Sequence, residues 1–188
     1  MRIRIAIAAL GVVMGITTPE ATVAQGAGGS GPTIEVETIR ALLLQGFEQG
    51  KAMDIDFARA IPDSALRWAP TSEVRDFAEQ VEHAAVDNAL FVARGILGVS
   101  TPTFGDPEVY LNDQEALVEA VTTAYDWVMQ SLRELPAEEF ETETTLFGQQ
   151  MEKWRVYLQA LEHGYWTRGQ LVPYFRAHGM APPRYRAF

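Results

Sequence analysis

Apolar positions recur at helical spacing over most of the chain. Between Ile34 and Ile61 the residues Ile39, Leu42, Leu43, Gly46, Phe47, Met53 and Phe57 return every three or four positions. This places them on one stripe of a helix that Pro62-Asp63 ends. The connector from Ser64 to Pro70 contains Trp68, expected to plug one end of a core. A second helix carries Phe77, Val81, Ala84, Ala85, Phe91, Val92 and Ile96 and stops at Gly98. Asp76 and Glu79 at its start have the spacing of a capping box, in which each side chain accepts from the other residue's backbone amide. Residues 99–111, with two prolines and a glycine, predict a loop. Asn112 and Glu115 predict another capping box, opening a helix with Leu117, Val121, Ala124, Val128, Leu132 and Leu135 on one face until Pro136. Thr142 to Phe147 has a strand-like composition, but one short strand has no partner, so residues 137–148 predict an extended loop. The last helix is expected from about Gln150 to His178, with Gly179 as its stop and Pro182-Pro183 beyond. Four amphipathic segments without a credible sheet predict an all-α fold, a four-helix bundle.

The amino terminus follows a different rule. Arg2 and Arg4 precede an apolar run from Ile5 to Ile16, and Thr22-Val23-Ala24 supplies a small-residue exit. A cationic start, a short apolar core and small residues describe a signal peptide over residues 1–24. The run is shorter than the ~20 residues that span a bilayer. The expectation is an exported protein, periplasmic or secreted, with no membrane attachment after cleavage. Residues 25–33, rich in glycine, predict a flexible linker before a bundle domain over 34–188.

Composition narrows the chemistry. The 188 residues contain no cysteine, which removes disulfides, thiolate metal sites and a cysteine nucleophile. Fifteen basic against 25 acidic side chains give a net charge of −10, which argues against nucleic acid as a partner. Only three histidines are present: His83, His163 and His178.

On a helical wheel centred on His163, Val156, Gln159, Thr167, Gln170 and Tyr174 fall within about 40°. This polar and aromatic stripe is either a solvated face or the wall of a polar pocket. Trp154, Leu158, Leu161, Tyr165 and Val172 form an apolar opposite side, available to a homodimer. His83 lies near Asp76, Asp87 and Arg94, away from the stripe of Phe77, Val81 and Ala84. Periodicity reads it as a solvated histidine, with Asp87 one turn later able to orient its ring or to join it as a ligand. His178 sits at the helix stop, where the negative end of the dipole favours a capping role. It lies about 22 Å along an intact helix from His163.

The segments Leu66-Arg67-Trp68-Ala69-Pro70 and Asp76-Phe77-Ala78-Glu79-Gln80-Val81-Glu82-His83 resemble the DinB (YfiT-like) family of helical bundles. Glu162-His163, Arg168-Gly169-Gln170-Leu171, Tyr174-Phe175-Arg176, Gly179 and Pro182-Pro183 extend the likeness over residues ~35–185. The resemblance implies a four-helix bundle holding one divalent metal ion (Zn, Ni, Fe or Mn) on three histidines. One comes from the second helix and two from the fourth, spaced four apart so that both imidazoles share a face. His83 and His163 match two of these positions. The third falls on Thr167, whose neutral hydroxyl is a poor ligand for such ions. Related transferases and isomerases use a metal-activated thiol. Two function classes are therefore expected: a non-catalytic module for a small-molecule ligand or a weakly held metal, and a divalent-metal-dependent transferase or hydrolase with Asp87, Gln159, Gln170 and Tyr174 around its pocket.

Overall fold

The computed structural model describes residues 35–186. The signal peptide and the linker expected over residues 1–33 lie outside the described residues. Within them the chain is mostly helical, with one two-stranded hairpin. No helix among the described residues is long and apolar enough to cross a membrane.

Helix α1 (Val36–Ala60) buries Leu43, Phe47, Met53 and Phe57 along the predicted stripe, while Leu42, expected on it, is 60% exposed. It packs along α5 (Gln114–Glu134), which buries Leu117, Val121, Ala124, Val128 and Leu132. Side chains tie the two helices at both ends. The Arg40 guanidinium donates to the Leu132 carbonyl at the negative end of α5. Gln114 Nε2 donates to the Ile61 carbonyl just past α1.

The second helix is not continuous, contrary to the expectation from its apolar pattern. It divides into α2 (Phe77–Ala85) and α3 (Asn88–Val92), followed by a π-helical turn over Ala93–Leu97 that ends at Gly98 (φ 64°). At the break the amides of Val86 and Asp87 both point to the Glu82 carbonyl. The side chains of Asp87 and Asn88 bond back one turn, to His83 and to the Ala84 carbonyl. Such local bonds compete with the helical ladder. The Asp76–Glu79 capping box forms in both directions, at 2.9 and 3.1 Å.

Three further expectations are corrected. The segment read as a loop contains a short helix, α4 (Pro107–Tyr110), with Asp106 accepting from the Glu108 amide and Pro107 at the first position. The cap of α5 is Asp113, which accepts from the Ala116 amide, rather than Asn112, whose amide closes α4 on the Glu108 carbonyl. The segment read as an extended loop pairs as β1 (Glu143–Leu146) with β2 (Gln149–Glu152), in antiparallel register Leu146↔Gln149. The partner strand comes from residues assigned to the start of the last helix. A two-residue turn joins the strands, with positive φ at Phe147 (49°) and Gly148 (81°), the geometry that matches strand twist.

The last helix accordingly begins at Lys153. It runs as α6 (Lys153–Gly169) and α7 (Leu171–Ala177), broken at Gln170. Pro173 lacks the amide that would bond the Gly169 carbonyl, which accounts for the break. Helix α6 packs against α1 and against α2 and α3. Trp68 is half-buried at the end of this assembly, its ring 5.5 Å from Phe77 and 4.8 Å from His178. His178 is the C-cap residue of α7, next to Gly179 at φ 79°.

Candidate functional site

The break between α2 and α3 and the inward face of α6 bring two histidines together. The rings of His83 and His163 stand edge to face, 4.8 Å between centroids. Each is held through Nδ1. The Asp87 carboxylate lies 2.6 Å from His83 Nδ1, and Asn88 Oδ1 lies 3.0 Å from His163 Nδ1.

These contacts fix where the protons sit. Asn88 Nδ2 donates to the Ala84 carbonyl at 2.9 Å, so its Oδ1 must be the atom facing His163. Because Oδ1 can only accept, His163 carries its hydrogen on Nδ1. Asp87 imposes the same tautomer on neutral His83. Both Nε2 atoms therefore keep a lone pair, the arrangement that outer partners impose on metal-binding imidazoles. Gly164 makes the approach of α6 possible, since a Cβ there would lie 2.8 Å from Asn88 Nδ2 and 3.2 Å from the Ala84 carbonyl oxygen.

His163 is half-buried, and its pKa is lowered below 6.5, first by desolvation and then by His83; Arg75 acts in the same direction and Asp87 opposes it. The site thus favours neutral imidazole on α6. Aromatic rings cover one side: Phe91 lies 5.1 Å from His163, and Phe147 at the hairpin tip lies 5.3 Å from Phe91.

The other expected residues separate into three places. Thr167 is buried at 1% exposure, its Oγ1 3.4 Å from His163 Nε2. Gln170 and Tyr174 lie one to two turns farther on, in a polar cleft of about 560 Å³ shared with Arg75 and Gln80. Buried Gln80 connects the two regions, donating to the Thr167 carbonyl at 3.1 Å and to Gln170 Oε1 at 3.4 Å. Gln159 is exposed, donates to Glu162 and lines a groove by the hairpin, so the fold does not bring it to the histidines. The polar stripe of the last helix is thus mostly an inward face near His163 and a solvated one at Gln159. His83 is 27% exposed and paired with Asp87 and His163, which is not a freely solvated side chain.

The residues present fit two ligands of a metal centre and not three. Asp87 is turned to His83 Nδ1 and orients the ring. The Glu82 carboxylate is engaged by the Tyr110 hydroxyl. Among the described residues no group of three or more His, Asp or Glu converges to hold an ion. Catalytic zinc sites use three protein ligands with an open position, so a resident centre of the three-histidine kind does not fit.

Periodicity gave no warning of Asn88, the buried amide that anchors His163. Its only signal was the polar pair Asp87-Asn88 interrupting an otherwise apolar run from Ala84 to Val92. Nor did it single out the buried ion pair behind α6. Arg168 Nε and Nη2 bond the Asp54 carboxylate at 2.5 and 2.9 Å, and Tyr125 donates to Asp54 at 2.7 Å.

The sequence model described as the DinB family matches residues 36–187. No curated protein matches the chain.

Proposed function

The chain belongs to the DinB family, and from that premise we propose that it is an exported, non-catalytic binding module in the four-helix arrangement. Its four columns would be α1, α2–α3, α5 and α6–α7. Its ligand is a small polar molecule or a divalent cation, held weakly and reversibly at the His83–His163 pair. The observation that carries this reading is the pair itself: two imidazoles with Nδ1 anchored and a lone pair on each Nε2, that of His163 met only at 3.4 Å by the buried Thr167 hydroxyl in place of a third imidazole. Two nitrogen ligands favour a cation but leave its remaining positions to water, which gives a site that exchanges. The adjoining cleft adds Gln170 and the Arg75 guanidinium as donors for a polar ligand, the Gln80 amide nitrogen being committed to the Thr167 carbonyl and to Gln170.

The alternative, a divalent-metal-dependent transferase or hydrolase, draws on the fixed imidazole tautomers, which are also what a catalytic site needs. Elemental analysis of protein purified without chelator separates the two. A weak module loses Zn²⁺, Ni²⁺ and Mn²⁺ on desalting and regains one equivalent only when the ion is present in excess. One equivalent that survives dialysis favours the enzyme. No uptake even in excess removes the cation from both readings.

A further inference from the structure

The opposite side of α6 carries a second site. Arg168 projects about 140° around the helix from His163. It lines a cleft of about 470 Å³ with Met53 and Phe57 from α1, Val172 from α7, and Pro183 and Tyr185 from the C-terminal segment. That segment is clamped across α1 at Arg186: its guanidinium pairs with Asp56, and its carbonyl accepts from Gln49. The volume is within the range of small-molecule pockets.

The walls are apolar apart from one group. Arg168 is 3% exposed, and its Nε and Nη2 are bonded to Asp54, to the Gly50 carbonyl and to Tyr125. Its Nη1 has no acceptor among the described residues. It is also not sealed in protein, because Gln49 Oε1 is the one fully buried and unpartnered side-chain polar atom among them. Arg168 is among the residues lining this cleft, and Nη1 is the guanidinium nitrogen left available to a ligand there. The guanidinium is further held over the Tyr165 ring, 5.2 Å from its centroid, so the direction of Nη1 is fixed.

Charge then selects the ligand. The Asp54 carboxylate neutralises Arg168 inside the fold, and Tyr125 completes its hydrogen bonds. An incoming carboxylate would place an uncompensated negative charge against apolar walls, which is costly. A carbonyl or ether oxygen satisfies Nη1 without that cost. We propose that the cleft between α1, α6–α7 and the C-terminal segment binds an uncharged, largely apolar or aromatic molecule through one acceptor oxygen directed at Arg168 Nη1. This site is independent of the histidine pair.

The test uses the full chain and propionyl-dimethylaminonaphthalene, an uncharged naphthyl ketone whose emission shifts to the blue in an apolar site. Saturable binding with a blue shift is expected. The same ring system without the ketone should bind ~10–100-fold more weakly, the value of a hydrogen bond to a charged donor. Naphthoate, an anion of similar shape, should also bind more weakly than the ketone. Val172→Trp fills the cleft from a position already 40% exposed and should weaken ketone binding by more than ~10-fold while the thermal midpoint holds. His83→Ala should leave binding unchanged. Absence of saturable binding overturns the proposal. So do equal binding of the ketone-free ring, tighter binding of naphthoate, or a folded Val172→Trp protein that binds like the parent.

Discussion

Asn88 and His163 determine each other's orientation. The Asn88 amide nitrogen is committed to the Ala84 carbonyl, its oxygen therefore faces His163 Nδ1, and the imidazole keeps its lone pair on Nε2, 3.4 Å from the Thr167 hydroxyl. A residue at a helix break thus sets the protonation pattern of a residue 75 positions away. The expected outcome is a single Nδ1–H tautomer for neutral His163, read by nitrogen chemical shifts of the ring at pH 8. Asn88→Ala should give mixed tautomers and lower cation affinity by ~10–100-fold, as loss of an outer partner does elsewhere. A single tautomer in the variant would show that Asn88 is not the determinant.

The same burial makes stability depend on pH. The pKa of His163 is lowered in the folded state, so the unfolded chain takes up the proton first as pH falls. Its contribution is complete above ~6.5, the unfolded value, and is lost as pH falls from there through the folded pKa. Urea unfolding at pH 7.5 and 5.5 should show a smaller loss of stability for His163→Asn than for the parent. His83, Asp87 and Arg75 face the same ring, so the comparison is made as a difference between the two proteins. Equal losses would place the pH dependence elsewhere.

Behind α6 the ion pair of Asp54 and Arg168 is buried on both sides. Burial alone would lower the Arg168 pKa, and the Asp54 carboxylate more than offsets this, so the net shift is upward. Asp54→Ala leaves a buried guanidinium without its partner and should cost about 3–5 kcal/mol by urea unfolding. Replacing both, Asp54→Leu with Arg168→Met, should recover most of that loss, because an apolar pair leaves no charge uncompensated. A double variant as unstable as Asp54→Ala would mean that the pair is irreplaceable for packing.

Helix α6 approaches α2 and α3 at Gly164, where a methyl group would press on Asn88 and on the Ala84 carbonyl. Gly164→Ala should destabilise by about 1–3 kcal/mol, the usual cost of overpacking, despite the better helix propensity of alanine. Gly169→Ala in the same helix meets nothing within 4 Å and serves as the control. A neutral Gly164→Ala in thermal unfolding would contradict the close approach.

What the sequence made legible follows from range. Local signals were sufficient where one element decides the outcome: the Asp76–Glu79 capping box, the stripe from Leu43 to Phe57 and the stop at Gly179 all form as their spacing predicts. The hairpin was misread because its second strand, Gln149–Glu152, has no strand propensity of its own, and the turn at Phe147-Gly148 creates the pairing. The wheel placed His83 off the apolar stripe correctly but could not show that His163 lies beside it, because a facing helix is invisible to periodicity. The family likeness supplied that pairing, and it also marked Thr167 as the departure. The roles of Asn88 and of the Asp54–Arg168 pair emerge only in the fold, since a buried polar residue and an exposed one look alike in a sequence.

On the proposed reading, the histidine pair is a two-ligand site made weak by Thr167. The most direct measurement is calorimetric titration of Ni²⁺ and Zn²⁺ into the parent and into Thr167→His, with a thermal melt of each to establish folding. A histidine four residues after His163 places a third imidazole on the same face of α6. Weak, exchangeable binding by the parent, lost in His83→Ala, is expected, with a sharp rise in affinity and one ion per chain in Thr167→His. A folded Thr167→His protein with the affinity of the parent would contradict it.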